Sequence, residues 1–322
     1  MRPLTLLVLA DPAQRCLAML ERLPEDAGIV VGDCAEAFQA AAPEAEAILF
    51  WFSRRELLEA VWPTTPGLRW VHCSSAGVEH MLFPELIESD VVLTNSRGAF
   101  SPALAEFVIA AVLFFAKDLR RMVRSQAAGI WDCFDIEEAA GRALGIVGYG
   151  DIGRAVAARA RALGMRVLAV RRRPEPAGDD PLVEAAYLVE ALSKVLSVSD
   201  YIVVCVPLTP ATLGLIGEAE LRLMKSSAVL INVGRGPVVD EGALVRALEE
   251  GWIRGAALDV FDQEPLPAGH PFYRFENVLL SAHCADRTPD WQDRAMELFI
   301  ENFHRFHRGA PLHNVVDKQL GY

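Results

Sequence analysis

The chain has 322 residues, 52% hydrophobic and 23% charged, with a formal charge of −12 at pH 7. That length accommodates two domains with sizeable cores, and the composition is that of an ordinary globular protein. The negative charge excludes general binding to nucleic acid or anionic membrane, because the long-range field repels phosphates, so any anion site must be local.

The first segment, MRPLTLLVLADP, has Arg2 ahead of an apolar run that ends at Asp11-Pro12 without a small-residue cleavage pattern. It reads as a first buried strand rather than a signal peptide. LTLLVLA (4–10) precedes a helical AQRCLAMLERL, GIVV (28–31) precedes an alanine-rich helix, and AILFWF (47–52) precedes RRELLEAV. LRWVHC (68–73) and VVLTN (91–95) follow. Continuous apolar strands separated by helices indicate a parallel sheet covered on both faces.

A long helix opens at Ser101-Pro102, with serine as cap and proline in the first turn, and is expected to reach about Arg121. Its apolar stretch, FVIAAVLFFA, is far short of the about 20 residues that span a bilayer. Thr288-Pro289 opens a second long helix that ends near Gly309. Between them lie strand candidates at 143–147, 165–170, 201–206, 228–232, 255–260 and 277–282. This alternation fits a doubly wound dinucleotide-binding sheet over 99–287, leaving 1–98 and 288–322 as a discontinuous smaller domain. The six cysteines form no CxxC pair and read as free thiols in a reducing compartment, Cys133 and Cys284 being the two of interest. The expected location is cytoplasmic, with no metal.

GYGDIG (148–153) matches GxGxxG in the context that pattern requires, after the strand ALGIV and opening the helix IGRAVAARARAL. Gly148 permits the tight turn, Gly150 lets the backbone approach a pyrophosphate, and Gly153 lets helix and strand pack closely. The loop Gly148, Gly150, Asp151, Ile152 and Gly153 is expected to hold the cofactor at the helix N-terminus. The next strand ends in VLAVRRRP (167–174). An acid at that end hydrogen-bonds the ribose 2′-hydroxyl of NAD. Arg171, Arg172 and Arg173 stand there instead, and guanidinium groups pair with a phosphate. NADP is the expected cofactor, NADPH in its reduced form, with NAD the alternative and a solvated strand end the structural reading.

INVGRGPVVDEGALVRAL (231–248) flanks Arg235 with Gly234 and Gly236 at the carboxyl end of a strand, where ligands of such sheets bind. GAALDVFDQEPLP and LLSAHCADRTPD add Glu264 and His283 at the same edge. An arginine can hold a substrate carboxylate and polarise an oxo group, and a histidine can supply the proton. A neighbouring glutamate orients the imidazole and favours its protonated form. Singly, each residue also fits a structural role: a loop charge, a turn residue before proline, a capped core histidine. Together, downstream of a nucleotide loop, they fit the reduction of a 2-oxo acid.

On GYGDIG, CVPLTPAT (205–212), NVGRGPVVDEGAL, GAALDVFDQEPLP and the histidine of LLSAHCADRT, the chain resembles the D-isomer-specific 2-hydroxyacid dehydrogenases over nearly its whole length. The resemblance implies an α/β fold of two doubly wound parallel-sheet domains. These are a Rossmann cofactor domain and a smaller flavodoxin-like substrate domain, joined by long hinge helices, with the active site in the cleft between them. It implies Arg235, Glu264 and His283 as catalytic residues, and Ala76 and Gly77 of SSAGVEH (74–80) as donors to the substrate carboxylate. Cofactor contacts are implied at Val206, Pro207, Thr212, Val233, Gly234 and Asp259, the last near the carboxamide. A homodimer is also implied. The chain departs from the family at Ala282, where proline is usual, and at Asp286, where glycine is common. With its arginines it resembles the NADPH-preferring glyoxylate and hydroxypyruvate reductases. In FWFSRREL (50–57), Trp51 facing the substrate favours a bulkier branched or aromatic oxo acid, whereas Arg54 offers a second polar contact. A dinucleotide-sensing, corepressor-like protein is the reading from another class.

Overall fold

A computed structural model of the chain describes residues 4–172 and 180–322. The chain divides into two compact units, Met1–Phe100 with Thr288–Tyr322, and Ser101–Arg287.

In the first unit, β1 (Thr5–Leu9), β2 (Gly28–Gly32), β3 (Ala45–Phe50), β4 (Trp70–Cys73) and β5 (Val92–Asn95) form one parallel sheet in the order β2-β1-β3-β4-β5. The chain steps outward from β1 to β2 and returns to β3 on the other side, the flavodoxin-like order. α1 (Arg55–Val61) and α2 (Pro84–Glu88) are short. Two expected helices are corrected: Arg15–Arg22 is a 3-10 helix, and the alanine-rich segment forms only the turns Ala35–Phe38 and Ala42–Glu44. Pro12, Pro24 and Pro43 cut these connections to lengths at which an α-helix gains few hydrogen bonds.

The second unit opens with α3 (Ser101–Ala116), apolar on nearly every face, which packs against the helix of the glycine loop. The expected run to Arg121 is interrupted. Asp118 takes a left-handed conformation at φ 47° and caps α4 (Leu119–Ala127) by accepting from the Arg121 N–H. There follow β6 (Ala143–Val147), α5 (Asp151–Ala162), β7 (Arg166–Arg171), β8 (Ala185–Leu188), α6 (Leu192–Val198), β9 (Tyr201–Val204), α7 (Glu218–Leu223), β10 (Val229–Asn232), α8 (Glu241–Glu249), β11 (Gly255–Leu258) and β12 (Val278–Leu280). The strands form a parallel sheet in the order β12-β11-β10-β9-β6-β7-β8, which reverses direction between β6 and β9. β8 is the strand that the sequence pattern did not reveal. Its residues are only partly covered at the sheet edge, and AAYLVEAL reads equally as a helix. Leu144, Ile202, Leu230 and Ala256 are fully buried, which is why their strands are continuous apolar runs.

α9 (Trp291–His307) completes the first unit and ends before Gly309, whose φ of 66° is the left-handed stop expected of glycine. Phe299 of α9 stacks on Trp70 of β4. Among the described residues no helix is long and apolar enough to cross a membrane.

Candidate active site

Because every strand of the second unit is parallel, the loops that follow β6, β7, β9, β10, β11 and β12 share one edge. The glycine loop follows β6. Gly148 has φ 103°, and a side chain there would sit 2.8 Å from the Cys205 carbonyl oxygen. A Cβ on Gly153 would collide with the Gly148 carbonyl, so loop and helix lock together. The space in front of Gly150, the residue that caps α5, is open, and the first N–H groups of α5 lie behind it. These features fit a pyrophosphate at a helix N-terminus beside a topological switch point.

At the neighbouring strand end, Arg171 closes β7 half-buried and Arg172 is exposed, while Arg173 lies outside the described residues. Asp180, which sequence reasoning missed, reaches this corner. Its Oδ2 accepts from the Tyr149 hydroxyl at 3.0 Å and from Arg154 Nη1 at 2.7 Å. Burial, then the Asp180 hydrogen bond, holds the Tyr149 phenol well above its ordinary range. For Asp180, burial pushes upward but is outweighed by the Leu182 N–H, Tyr149 and Arg154, leaving it below the usual range. After β9, Val206 and Pro207 are half-buried. The Thr212 hydroxyl donates back to the Pro207 carbonyl at 2.7 Å and thereby closes the loop.

Arg235 follows β10. The buried Asn232 side chain accepts from the Gly234 N–H at 3.0 Å and donates to the Arg235 carbonyl at 3.1 Å, fixing the turn, with Val233 buried beside it. A Cβ at Gly236 would run into the Phe261 backbone, so this loop packs directly on the one that carries Glu264. Arg235 is half-buried and steadied by an Nη1 donation to the Gly234 carbonyl at 2.8 Å.

Glu264 and His283 come together. Imidazole Nδ1 lies 2.6 Å from Glu264 Oε2, while Oε1 accepts from the Phe261 N–H at 3.0 Å. With the carboxylate as acceptor, Nδ1 carries the proton of this pair and Nε2 is left for another partner. The side chains are 43% and 34% exposed, so a small molecule can reach them. His283 has φ 48°, a left-handed conformation that costs a non-glycine residue about 1–2 kcal/mol. Asp259 offsets it. Its carbonyl accepts the His283 N–H at 2.8 Å, and its buried Oδ1 accepts the N–H groups of Cys284 and Ala285 at 3.0 and 3.1 Å. Asp259 therefore clamps the histidine loop, an arrangement that spacing in the sequence does not reveal.

In the first unit, Ala76 and Gly77 lie on the loop after β4. Asn95 Nδ2 donates to the Ala76 carbonyl at 2.6 Å, and the Ser96 N–H donates to Ser75 at 3.1 Å. The expectation that Trp51 faces a substrate is corrected. The side chain is fully buried and its indole N–H donates to Gln14 at 2.6 Å, so it is a core residue. The bulkier-acid reading loses the residue it rested on.

The family described as "D-isomer specific 2-hydroxyacid dehydrogenase, NAD binding domain" matches residues 109–285. A glyoxylate reductase from Korarchaeum cryptofilum (strain OPF8) is 37% identical over 272 residues, covering 81% of this chain and 79% of that protein. Among solved structures, a D-isomer specific 2-hydroxyacid dehydrogenase from Xanthobacter autotrophicus Py2, in complex with NADPH and MES, matches with TM-score 0.85 at 31% identity over 99% of this chain and 100% of that one. The NADPH-dependent glyoxylate/hydroxypyruvate reductase of Sinorhizobium meliloti, in complex with NADP and sulfate, matches with TM-score 0.84 at 26% identity over 100% of each chain. The two parallel-sheet units, the glycine loop and the paired Glu264 and His283 thus sit in a chain that belongs to the D-isomer specific 2-hydroxyacid dehydrogenase family.

Proposed function

We propose that the protein is an NADPH-dependent reductase that converts a small 2-oxo acid, of the glyoxylate or hydroxypyruvate class, to the D-2-hydroxy acid. The observation that carries this reading is the Glu264–His283 pair at 2.6 Å, on the sheet edge that also bears the glycine loop and Arg235. The residues of the glycine loop, with Val206, Pro207, Thr212, Val233, Gly234 and Asp259, hold the dinucleotide, which when bound supplies the hydride. Arg171, Arg172 and Arg173 take the 2′-phosphate, and the NADPH-bound relatives support that preference.

Arg235 binds the substrate carboxylate and polarises the oxo oxygen, and the backbone N–H groups of Ala76 and Gly77 are read as substrate-binding donors. His283 delivers a proton from Nε2 to that oxygen as the oxo carbon is reduced, and takes it back in the reverse direction. Glu264 holds Nδ1, fixing the ring and stabilising the imidazolium. In this reading residues 99–287 form the cofactor domain, and 1–98 with 288–322 the substrate domain.

Two copies are proposed to associate through α4 and the segment after it. Asp132 is bound bidentately by Arg121, at 2.5 and 2.7 Å, and Arg121 lies over the Phe134 ring. The segment so anchored exposes Ile130, Ile136 and Trp131, the last at 98%. Trp131→Glu is expected to yield a monomer in sedimentation; a dimer unchanged by it removes this surface from the interface.

The test of function is reductase activity with NADPH and NADH against glyoxylate, hydroxypyruvate, pyruvate, 2-oxoisovalerate and phenylpyruvate. Turnover of the small acids with preference for NADPH is the expected result. Preference for NADH returns the arginines to a solvated strand end, and absence of turnover with every acid returns the protein to the sensor class.

A further inference from the structure

We propose that Glu241 and His270 are positioning residues for the proton-donor pair, a staple that binds both ends of the loop carrying Glu264. The inference rests on the reading of Glu264 and His283 as that pair and goes beyond it to what fixes them in place.

Glu264 stands on a stretch with little packing of its own: from Asp262 to Gly269 every residue but Leu266 is exposed. Burial alone does not hold such a span still, yet it places a carboxylate oxygen 2.6 Å from the His283 ring. Two hydrogen bonds from outside the stretch do the holding. Glu241, the first residue of α8, accepts the Asp262 N–H on Oε2 at 3.2 Å, and its Oε1 lies 3.1 Å from His270 Nε2. One carboxylate thus grips the loop at 262 and again at 270, on either side of Glu264.

The tautomer of His270 follows from its other nitrogen. The Phe272 N–H donates to Nδ1 at 3.3 Å, so Nδ1 is an acceptor and the ring proton on Nε2 is donated to Glu241. The imidazole packs 4.6 Å from the buried Phe272 ring, and the His270 and Glu241 side chains are only 16% and 21% exposed. The arrangement has a cost, because Glu241 carries its charge near Asp262. Burial first, then Glu241 and Asp240, pushes the Asp262 carboxyl above the usual range, against the pull of His270. The two donors on Glu241 offset that repulsion.

The staple reaches the chemistry through one peptide. The Phe261–Asp262 peptide gives its N–H to Glu241, and the Phe261 N–H just before it is held by Glu264 Oε1 at 3.0 Å. The same peptide lies against Gly236, where a Cβ would run into the Phe261 carbonyl. Asn232 braces the Arg235 turn without help from Glu241. That turn is therefore the fixed side, and Glu264 is the side that loosens when the staple is cut.

The test is kcat for glyoxylate reduction in wild type, His270→Ala, His270→Gln and Glu241→Gln, and in Glu241→Gln combined with Glu264→Gln. His270→Ala and Glu241→Gln should each lower kcat about tenfold at unchanged KM for NADPH, as expected when a reacting group is misplaced by less than an ångström. His270→Gln keeps a donor for Glu241 and should recover most of the loss. On the Glu264→Gln background, Glu241→Gln should cost less than about twofold, because the carboxylate it positions is already gone. An equal cost on both backgrounds, or no cost on either, overturns the proposal. Amide exchange reads the same coupling without turnover: the Phe261 N–H should exchange about tenfold faster in His270→Ala and Glu241→Gln than in wild type. Equal exchange rates overturn the staple even in an active enzyme; failure of the wild type to reduce any acid overturns the reductase reading alone.

Discussion

Two histidines, one inside a strand of the first unit and one on a loop after the last strand of the second, have opposite fates. His72 of β4 is completely buried, with Nδ1 2.7 Å from the Thr94 hydroxyl and Nε2 3.2 Å from that of Ser96, and burial pushes it down to about 3. His283 is half-exposed, has a carboxylate on Nδ1, and leaves Nε2 to the open edge. The first is neutral at any pH where the protein works and serves the core. The second has what a proton carrier needs: access, an orienting acid and one uncommitted nitrogen. Environment decides the role, and neither environment is written in the residues next to the histidine.

The contrast is sharpest in His283→Ala, which should lower kcat about 10³-fold, the range of a positioned acid–base group, with NADPH binding nearly intact. His72→Gln, by contrast, should leave kcat within a small factor in the folded protein. If activity survives the first substitution, the acid is another residue. Next comes the cofactor side, which touches neither histidine. Arg171→Ala with Arg172→Ala should raise KM for NADPH about 30- to 100-fold and spare NADH, as expected for losing two charge-assisted contacts; an equal rise for both cofactors dismisses the phosphate clamp.

His72 has a signature of its own. Its folded value lies below the unfolded value of about 6.5, so the unfolded chain binds the proton first as pH falls. The stability that the neutral ring contributes is therefore present above about pH 6.5 and lost progressively toward pH 3. Urea midpoints should report about 2 kcal/mol less stability at pH 5 than at pH 7 from this group, and His72→Gln should flatten that slope. A slope identical in wild type and variant contradicts a buried neutral histidine. The smallest effect belongs to Glu264→Gln, which keeps a hydrogen bond to Nδ1 but removes the charge. About a tenfold loss in kcat is expected, with the alkaline limb of the pH–rate profile for reduction moved to lower pH; an unmoved profile makes Glu264 a merely steric support.

The sheets were legible because their central strands are buried on both faces: ILF of β3 and VLI of β10 are continuous apolar runs. β8 was not, since an edge strand that is half solvated carries no such run. In the first unit apolar spacing predicts helices where proline-bounded connections settle for 3-10 turns, because spacing does not count hydrogen bonds. At the site, residue types gave Arg235, Glu264 and His283, and the short Glu264–His283 contact joins two of them. The supports were invisible. Asn232 bracing the Arg235 turn, Asp259 clamping two N–H groups past His283, and Asp180 bound to Tyr149 and Arg154 all depend on which strands end side by side. Trp51 shows the opposite failure, an aromatic near a strand end that the sequence leaves free to face either way and Gln14 holds inside.

Proton delivery by His283 is read in a single-turnover experiment, in which protein preloaded with NADPH is mixed with glyoxylate and the loss of the reduced nicotinamide is followed, for wild type and His283→Ala. Preloading separates the hydride and proton step from cofactor binding. A fast decay is expected in the wild type and one about 10³-fold slower in the variant, at equal NADPH occupancy. Equal decay rates in the two proteins would contradict proton delivery by His283.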